Sequence, residues 1–281
     1  MNPESSRGKP MEQAERKAKI RETFNAVASG YDTPALRFFA KNPPHLARYL
    51  DLSGDEHLLD VATGTGNAAL ALAALLPDGR VTGVDFAAAM LERARTRAKE
   101  AGLANVEFVE MDMQALAFPD DHFSAACCAF GIFFVDDMEG QLAHIAAKVK
   151  PGGRVAISGF TEGAFSPLVD LMYARLVCYG VERPPLTWKR IASEEGCEAL
   201  FRSAGLDGIR TGRVDLGYFL KGPEEWWEII WQAGFRGLVS QLTPDDLSRF
   251  RAEHLAEVAD LQTSEGIRLE VEALYTVGTR V

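Results

Sequence analysis

Cysteine is scarce in this chain: Cys127, Cys128, Cys178 and Cys197 are the only four, none in CxxC spacing, and two are adjacent inside an apolar run. That pattern excludes the common zinc frameworks and a disulfide scaffold, so no metal site is expected, and buried free thiols in a reducing cytoplasm are. No apolar run approaches the roughly 18 residues that a membrane span requires, and the first residues lack the apolar core of a signal peptide. Positive charge is also short. Against 40 acidic residues stand 30 basic ones, a formal net charge of -10, and such a field repels polyanions, so nucleic acid is not an expected partner. Internal repeats and low-complexity tracts are missing too.

What remains is an ordinary globular composition, 281 residues with 47% hydrophobic and 25% charged, enough to bury a real core in one large domain with appendages. Residues 1–10 carry little to bury and read as a flexible leader. A helix is expected from Glu12 to Ala28, where Ile20, Phe24 and Val27 recur at helical spacing. From Leu58 to Phe160 short apolar runs alternate with amphipathic stretches, the pattern of βαβ units feeding a parallel sheet. The expected strands are HLLDVAT, RVTGVDF, VEFVEMD, SAACCAF and GRVAISGF, with helices at Asn67–Leu76, Ala87–Ala101 and Met138–Val149. Beyond Phe160 the regularity lapses until a helix at Glu194–Ser203 and a strand near Gly208–Leu216. A further helix starts at Pro223, and a final strand spans Arg268–Thr279.

The first strand turns into its helix through Asp60-Val61-Ala62-Thr63-Gly64-Thr65-Gly66. Glycines at 64 and 66 let main chain approach a ligand where a side chain would collide. Nineteen residues after Gly66, Asp85 ends the second strand, where a carboxylate can accept both hydroxyl hydrogens of a ribose. Gly64-x-Gly66-x-x-Ala69 also satisfies the dinucleotide fingerprint, so the glycines alone do not choose a cofactor. Asp60 favours a cation: a carboxylate there would repel a pyrophosphate and attract a sulfonium and an ammonium. The alternative is that Asp60 only pins the loop through hydrogen bonds.

LLDVATGTGNAAL followed by VTGVDFAAAMLERAR resembles the first two motifs of the class I S-adenosylmethionine-dependent methyltransferases. Glu110-Met111-Asp112-Met113, Phe130-Gly131 and Val149-Lys150-Pro151-Gly152-Gly153 follow in the family's order, and the likeness covers residues 20 to 160. FNAVASGYD, FGIFFVDD and VKPGGRVAISGF are most similar to the ubiquinone and menaquinone biosynthesis C-methyltransferases. Where those carry a basic or amide pair, this chain has Phe133 and Phe134, which favours a broader family of small-molecule methyltransferases.

The resemblance implies an α/β fold, a Rossmann-like doubly wound sheet, mostly parallel with an antiparallel last strand, plus helical lid insertions. The leader and lid would occupy residues 1–45, and the methyltransferase domain 46–281, with insertions at about 161–193 and 221–264. It implies S-adenosylmethionine as cofactor, held in part by Ala62, with Asp60, Gly64 and Gly66 at its methionine portion, Asp85 at the ribose, Phe86, Asp112 and Met113 at the adenine, and Phe130 beside the methyl. Met90 and Tyr31 complete the expected cofactor site, Tyr31 closing over it or serving as plain core packing.

Methyl transfer from a sulfonium needs alignment and exclusion of water rather than a catalytic cluster, so no catalytic residue is singled out. None of the five histidines has a catalytic context: His144 is expected on a helix away from the crevice, and His45, His57, His122 and His254 at surface or charged positions. The inserted segments supply Phe165, Tyr173, Tyr179, Trp188, Trp226, Trp227, Trp231 and Phe235, which suit an apolar or aromatic small-molecule acceptor or form satellite core. Two other functions compete, an NAD(P)-dependent reductase and a non-catalytic cofactor-binding protein. The short-chain dehydrogenase pair, Tyr followed four residues later by Lys, is missing at all six tyrosines.

Overall fold

The computed structural model describes residues 4–183 and 186–281, with side chains from Gln13 onward. Three helices open the chain, α1 (Glu4–Val27), α2 (Arg37–Lys41) and α3 (Pro43–Leu50). Alternation follows: β1 (His57–Val61), α4 (Asn67–Ala73), β2 (Arg80–Asp85), α5 (Ala88–Glu100), β3 (Val106–Glu110), β4 (Phe123–Ala129), α6 (Met138–Lys148) and β5 (Val149–Phe160). Strands sandwiched between helices must be apolar on both faces, and Leu58, Leu59, Val61, Val81, Val84 and Ala126 are all fully buried. Short polar side chains cap α6, which starts where Asp137 accepts the Gly140 N–H at 2.8 Å, and two helices further on, at Ser193 and Thr243.

The remainder comprises α7 (Leu168–Cys178), α8 (Glu194–Ser203), β6 (Leu206–Asp215), β7 (Tyr218–Leu220), α9 (Pro223–Gln232), α10 (Arg236–Val239), α11 (Pro244–Ala259), β8 (Ile267–Leu269) and β9 (Glu272–Arg280). One sheet has seven strands in the order β3-β2-β1-β4-β5-β9-β6. Strands β1 to β5 are parallel, and β9 lies antiparallel between β5 and β6. The order reverses between β1 and β4, and in such sheets the crevice opens beyond the carboxyl ends of the strands at that point.

Three expectations change. Helix α1 reaches back to Glu4, into the segment expected as a leader, of which residues 1–3 lie outside the described residues. Helix α7 occupies the stretch where regularity was expected to lapse. The final strand is broken in two: the Phe165 N–H donates to the Glu270 carbonyl at 2.6 Å and the Leu216 N–H to the Val271 carbonyl at 2.8 Å. Those carbonyls leave the ladder, so β8 pairs with β7 in a separate ribbon while β9 enters the main sheet. Among the described residues, no helix is long and apolar enough to cross a membrane.

Candidate active site

A cavity of about 710 Å³ opens at the carboxyl ends of the strands. Its wall takes in Asp60 and Ala62 from the end of β1, Asp85 and Phe86 from β2, Asp112 and Met113 after β3, and Phe130 after β4. Gly64, Met90 and Tyr31 line it as well. Gly66 is not on that wall. A Cβ on Gly66 would stand 3.1 Å from the Phe108 ring and 3.2 Å from the Ala94 methyl, so glycine is there to let the loop pack on β3 and α5. Gly64 is the opposite case. Its φ is +56°, and a Cβ built on it meets nothing within 4 Å. A side chain would project into the cavity that the bare main chain now cradles. Ala62 (φ +57°) and Phe130 (φ +52°) hold the same left-handed conformation with side chains attached, which costs about 1–2 kcal/mol each. Both end strands that flank the crevice, where such strain tends to concentrate.

The carboxylates do two jobs. Asp85 accepts the Gly64 N–H at 2.9 Å on one oxygen and the Ala87 N–H at 2.9 Å on the other, so it fastens the loops after β1 and β2 and keeps a lone pair free on each oxygen. Burial pushes its pKa up despite those bonds. Asp60 is fully buried and receives the Thr63 hydroxyl at 2.6 Å and the Cys127 thiol at 3.3 Å. Burial raises its pKa to about 6, against the lowering effect of Thr63 and Cys127. Its oxygens therefore hold the loop while its charge remains beside the cavity. Asp112 accepts the Gln114 N–H at 2.9 Å and pairs with Lys17 of α1.

The tyrosine expected to close over the site stacks on Phe39 at 5.0 Å, and its phenol pKa is raised by burial first and then by Asp85 and Asp32. Asp32 beside it was not anticipated. It accepts the Thr65 hydroxyl at 2.7 Å, Arg97 at 2.9 Å and Arg93 at 3.1 Å, and Arg97 also reaches the Thr65 carbonyl at 2.8 Å. This clasp binds the N-terminal segment to the glycine loop. Arg93 and Arg97, one turn apart on a charged helix, carry no sequence signal that separates them from a solvated face.

The other half of the cavity is walled by phenyl rings. Phe130 stacks on Phe160 at 4.4 Å, Phe165 meets Phe160 at 5.0 Å and Phe235 at 5.8 Å, and Phe38 meets Phe165 at 5.6 Å. Of the inserted aromatics, Phe165, Tyr173, Trp188 and Phe235 line the cavity. Trp226 is fully buried and donates to His254 at 2.8 Å, and Trp227 stacks on Trp231 at 5.8 Å, so these hold the insertion together. None of the five histidines is on the cavity wall; His144, for one, accepts the Leu116 N–H at 3.1 Å.

Gly64 leaves room for a ligand against main chain, and two buried acids stand beside it. That donor set suits a cationic nucleoside and opposes a pyrophosphate. Residues 58–153 match a family model described as a methyltransferase domain. The chain is 36% identical over 161 residues to a demethylmenaquinone methyltransferase of Thermus thermophilus, covering 55% of this chain and 73% of that protein. It is 29% identical over 221 residues to a ubiquinone/menaquinone biosynthesis C-methyltransferase of Pseudomonas syringae, covering 75% and 85%. Among solved structures, the YcgJ protein of Bacillus subtilis superposes with a TM-score of 0.57 at 21% identity, over 84% of this chain and 97% of that one. These relatives support neither the reductase nor the non-catalytic alternative. The chain belongs to the class I S-adenosylmethionine-dependent methyltransferases.

Proposed function

We propose that the protein methylates an aromatic or quinone-like small molecule held against the phenyl wall. The observation that carries this reading is the continuity of the cavity, from the Gly64 and Asp85 groove into a compartment walled by Phe38, Phe39, Phe130, Phe160, Phe165 and Phe235. Flat apolar rings gain from offset and edge contacts with phenyl faces. The names of the quinone-methylating relatives support the same acceptor class. S-adenosylmethionine supplies a methyl group on a positively charged sulfur, already activated for in-line displacement. Gly64 main chain receives its methionine portion, Asp85 its ribose, and Asp112, Met113 and Phe86 its adenine. Asp60 acts on the cofactor through its charge and through the loop it pins. Phe130 and Phe160 hold the acceptor ring in line and exclude water.

Residues 1–45 and the insertions at about 161–193 and 221–264 act as the lid, since Phe24, Phe39, Phe165 and Phe235 close the compartment. The acidic surface keeps nucleic acid out, and the free thiols, three of them buried, suit the cytoplasm.

The test is transfer of radiolabelled methyl to a panel of hydroquinones, naphthols and small amines of matched size. Products from the ring compounds are expected. Methylation confined to amines would overturn the acceptor class.

A further inference from the structure

Asn42 lies between α2 and α3, one helical turn on from Phe38 and Phe39. It belongs to the cavity wall, is 2% exposed, and its Oδ1 has no hydrogen-bond partner among the described residues. An asparagine in front of a helix ordinarily accepts an N–H from the first turn. Here it makes no such bond. Pro43 and Pro44 fill the first two helical positions and bring no N–H, and the His45 N–H goes to the Asn42 main-chain carbonyl at 3.1 Å. An amide therefore sits where its own helix cannot use it. An apolar residue in its place would spare the molecule the desolvation of an unpaired oxygen.

The surroundings suggest what the amide is for. Phe38 meets Phe160 at 6.2 Å and Phe165 at 5.6 Å, and Phe39 meets Phe130 at 5.7 Å. Asn42 is thus a polar point beside the phenyl-walled compartment. A half-turn of the carboxamide exchanges its donor and acceptor edges, and a hydroxyl serves either orientation because it both donates and accepts.

We infer that Asn42 is a positioning residue that hydrogen-bonds a ring hydroxyl of the acceptor and so sets which atom of the ring faces the methyl group. The inference rests on the aromatic-acceptor reading. Its test is calorimetric titration of the full chain, loaded with S-adenosylhomocysteine, with 1-naphthol and with naphthalene. Wild type is expected to bind 1-naphthol about tenfold more tightly, the worth of one well-made hydrogen bond. Asn42→Leu is expected to bind both alike, with unchanged affinity for S-adenosylhomocysteine and a melting temperature no lower than wild type. A merely structural asparagine would leave the naphthol preference untouched in the variant, which would overturn the inference and spare the aromatic reading. So would equal binding by wild type. Loss of S-adenosylhomocysteine affinity would move Asn42 to the cofactor groove and also overturn it. If neither ring compound binds, both readings fall together. Should Asn42→Leu not fold, Asn42→Ala, which adds no bulk, carries the same comparison.

Discussion

The two halves of the cavity are made from different materials. The cofactor groove is main chain and strand-end carboxylate, drawn mostly from residues between Asp60 and Met113, and tied together by bonds such as Asp85 to Gly64 and Ala87. The acceptor compartment is side chain, and its rings arrive from Phe24 at one end of the chain to Phe235 near the other. A groove of the first kind is fixed by backbone geometry and tolerates little change. A wall of the second kind can be repacked ring by ring, which is how one fold can serve different acceptors.

The largest effect belongs to Asp85. Asp85→Ala removes the acceptor of two loop N–H groups and the proposed ribose contact together. Hydrogen bonds to a charged group are worth about 1.5–3 kcal/mol each, so S-adenosylmethionine should bind at least about 100-fold more weakly by calorimetry. Retained affinity would mean that neither Asp85 nor the two loops it fastens holds the cofactor.

Phe160→Ala tests the other half. It removes the ring that stacks on Phe130 at 4.4 Å and meets Phe165 at 5.0 Å. An aromatic pair between wall and ligand is worth about 1 kcal/mol, so the acceptor KM should rise about fivefold while donor affinity stays within about twofold. Equal losses for donor and acceptor would mean that the halves are mechanically one.

The same contrast explains what is legible in the sequence. The β1-to-β5 alternation and the glycine loop can be read because backbone turns demand particular residues at particular spacings: Gly64 at its positive φ, Asp85 at its strand end. Spacing alone does not separate the roles of Gly64 and Gly66, because it is the same whether a glycine faces a ligand or a neighbouring strand; only the tertiary neighbours Phe108 and Ala94 show that Gly66 serves packing. The phenyl wall is half visible. Composition marks Phe165 and Phe235 as aromatic, yet nothing local distinguishes them from Trp226, whose partner His254 is 28 residues away. Helix α7 escapes notice because LVDLMYARLVC is apolar around most of its circumference and shows no clean stripe. Helix α11 does carry a signal, since Thr243 caps it by accepting the Asp246 N–H, and Pro244, Asp245 and Asp246 fill its first turn. Asn42 escapes because an asparagine before two prolines reads as a helix cap, and only the missing cap bond shows otherwise.

The electrostatics of the cofactor groove depend on pH. Asp60 titrates near 6 in the folded chain, above its ordinary 3.8, because it is buried. Between those values the folded chain holds the proton more tightly than the unfolded one, so this group stabilises the fold as pH falls through 6 and is fully stabilising below 3.8. Cofactor binding should run the other way, because a cation favours the ionised acid. One unit below its pKa about a tenth of Asp60 is charged, so donor affinity should drop roughly tenfold from pH 7 to pH 5. In Asp60→Asn the inflection near 6 should vanish. A pH-independent affinity in wild type would mean that the Asp60 charge does not reach the ligand and that its role is confined to Thr63 and Cys127.

The smallest effect is expected where the two halves meet at the rim. Lys17 of α1 pairs with Asp112, and Arg16 beside it pairs with Asp136. Both pairs are partly exposed, and such pairs contribute little and are screened by salt. The Lys17 pair nevertheless occupies the carboxylate proposed to receive the adenine amino group. Lys17→Met should therefore raise donor affinity, by about threefold at low ionic strength and not at all near 0.5 M salt, where the Debye length is only about 4 Å. Arg16→Met touches a carboxylate outside the proposed cofactor contacts and should leave donor affinity alone. A fall in affinity on losing Lys17 would show instead that the pair holds α1 over the groove, and that the lid contributes to cofactor binding as well as to enclosing the acceptor.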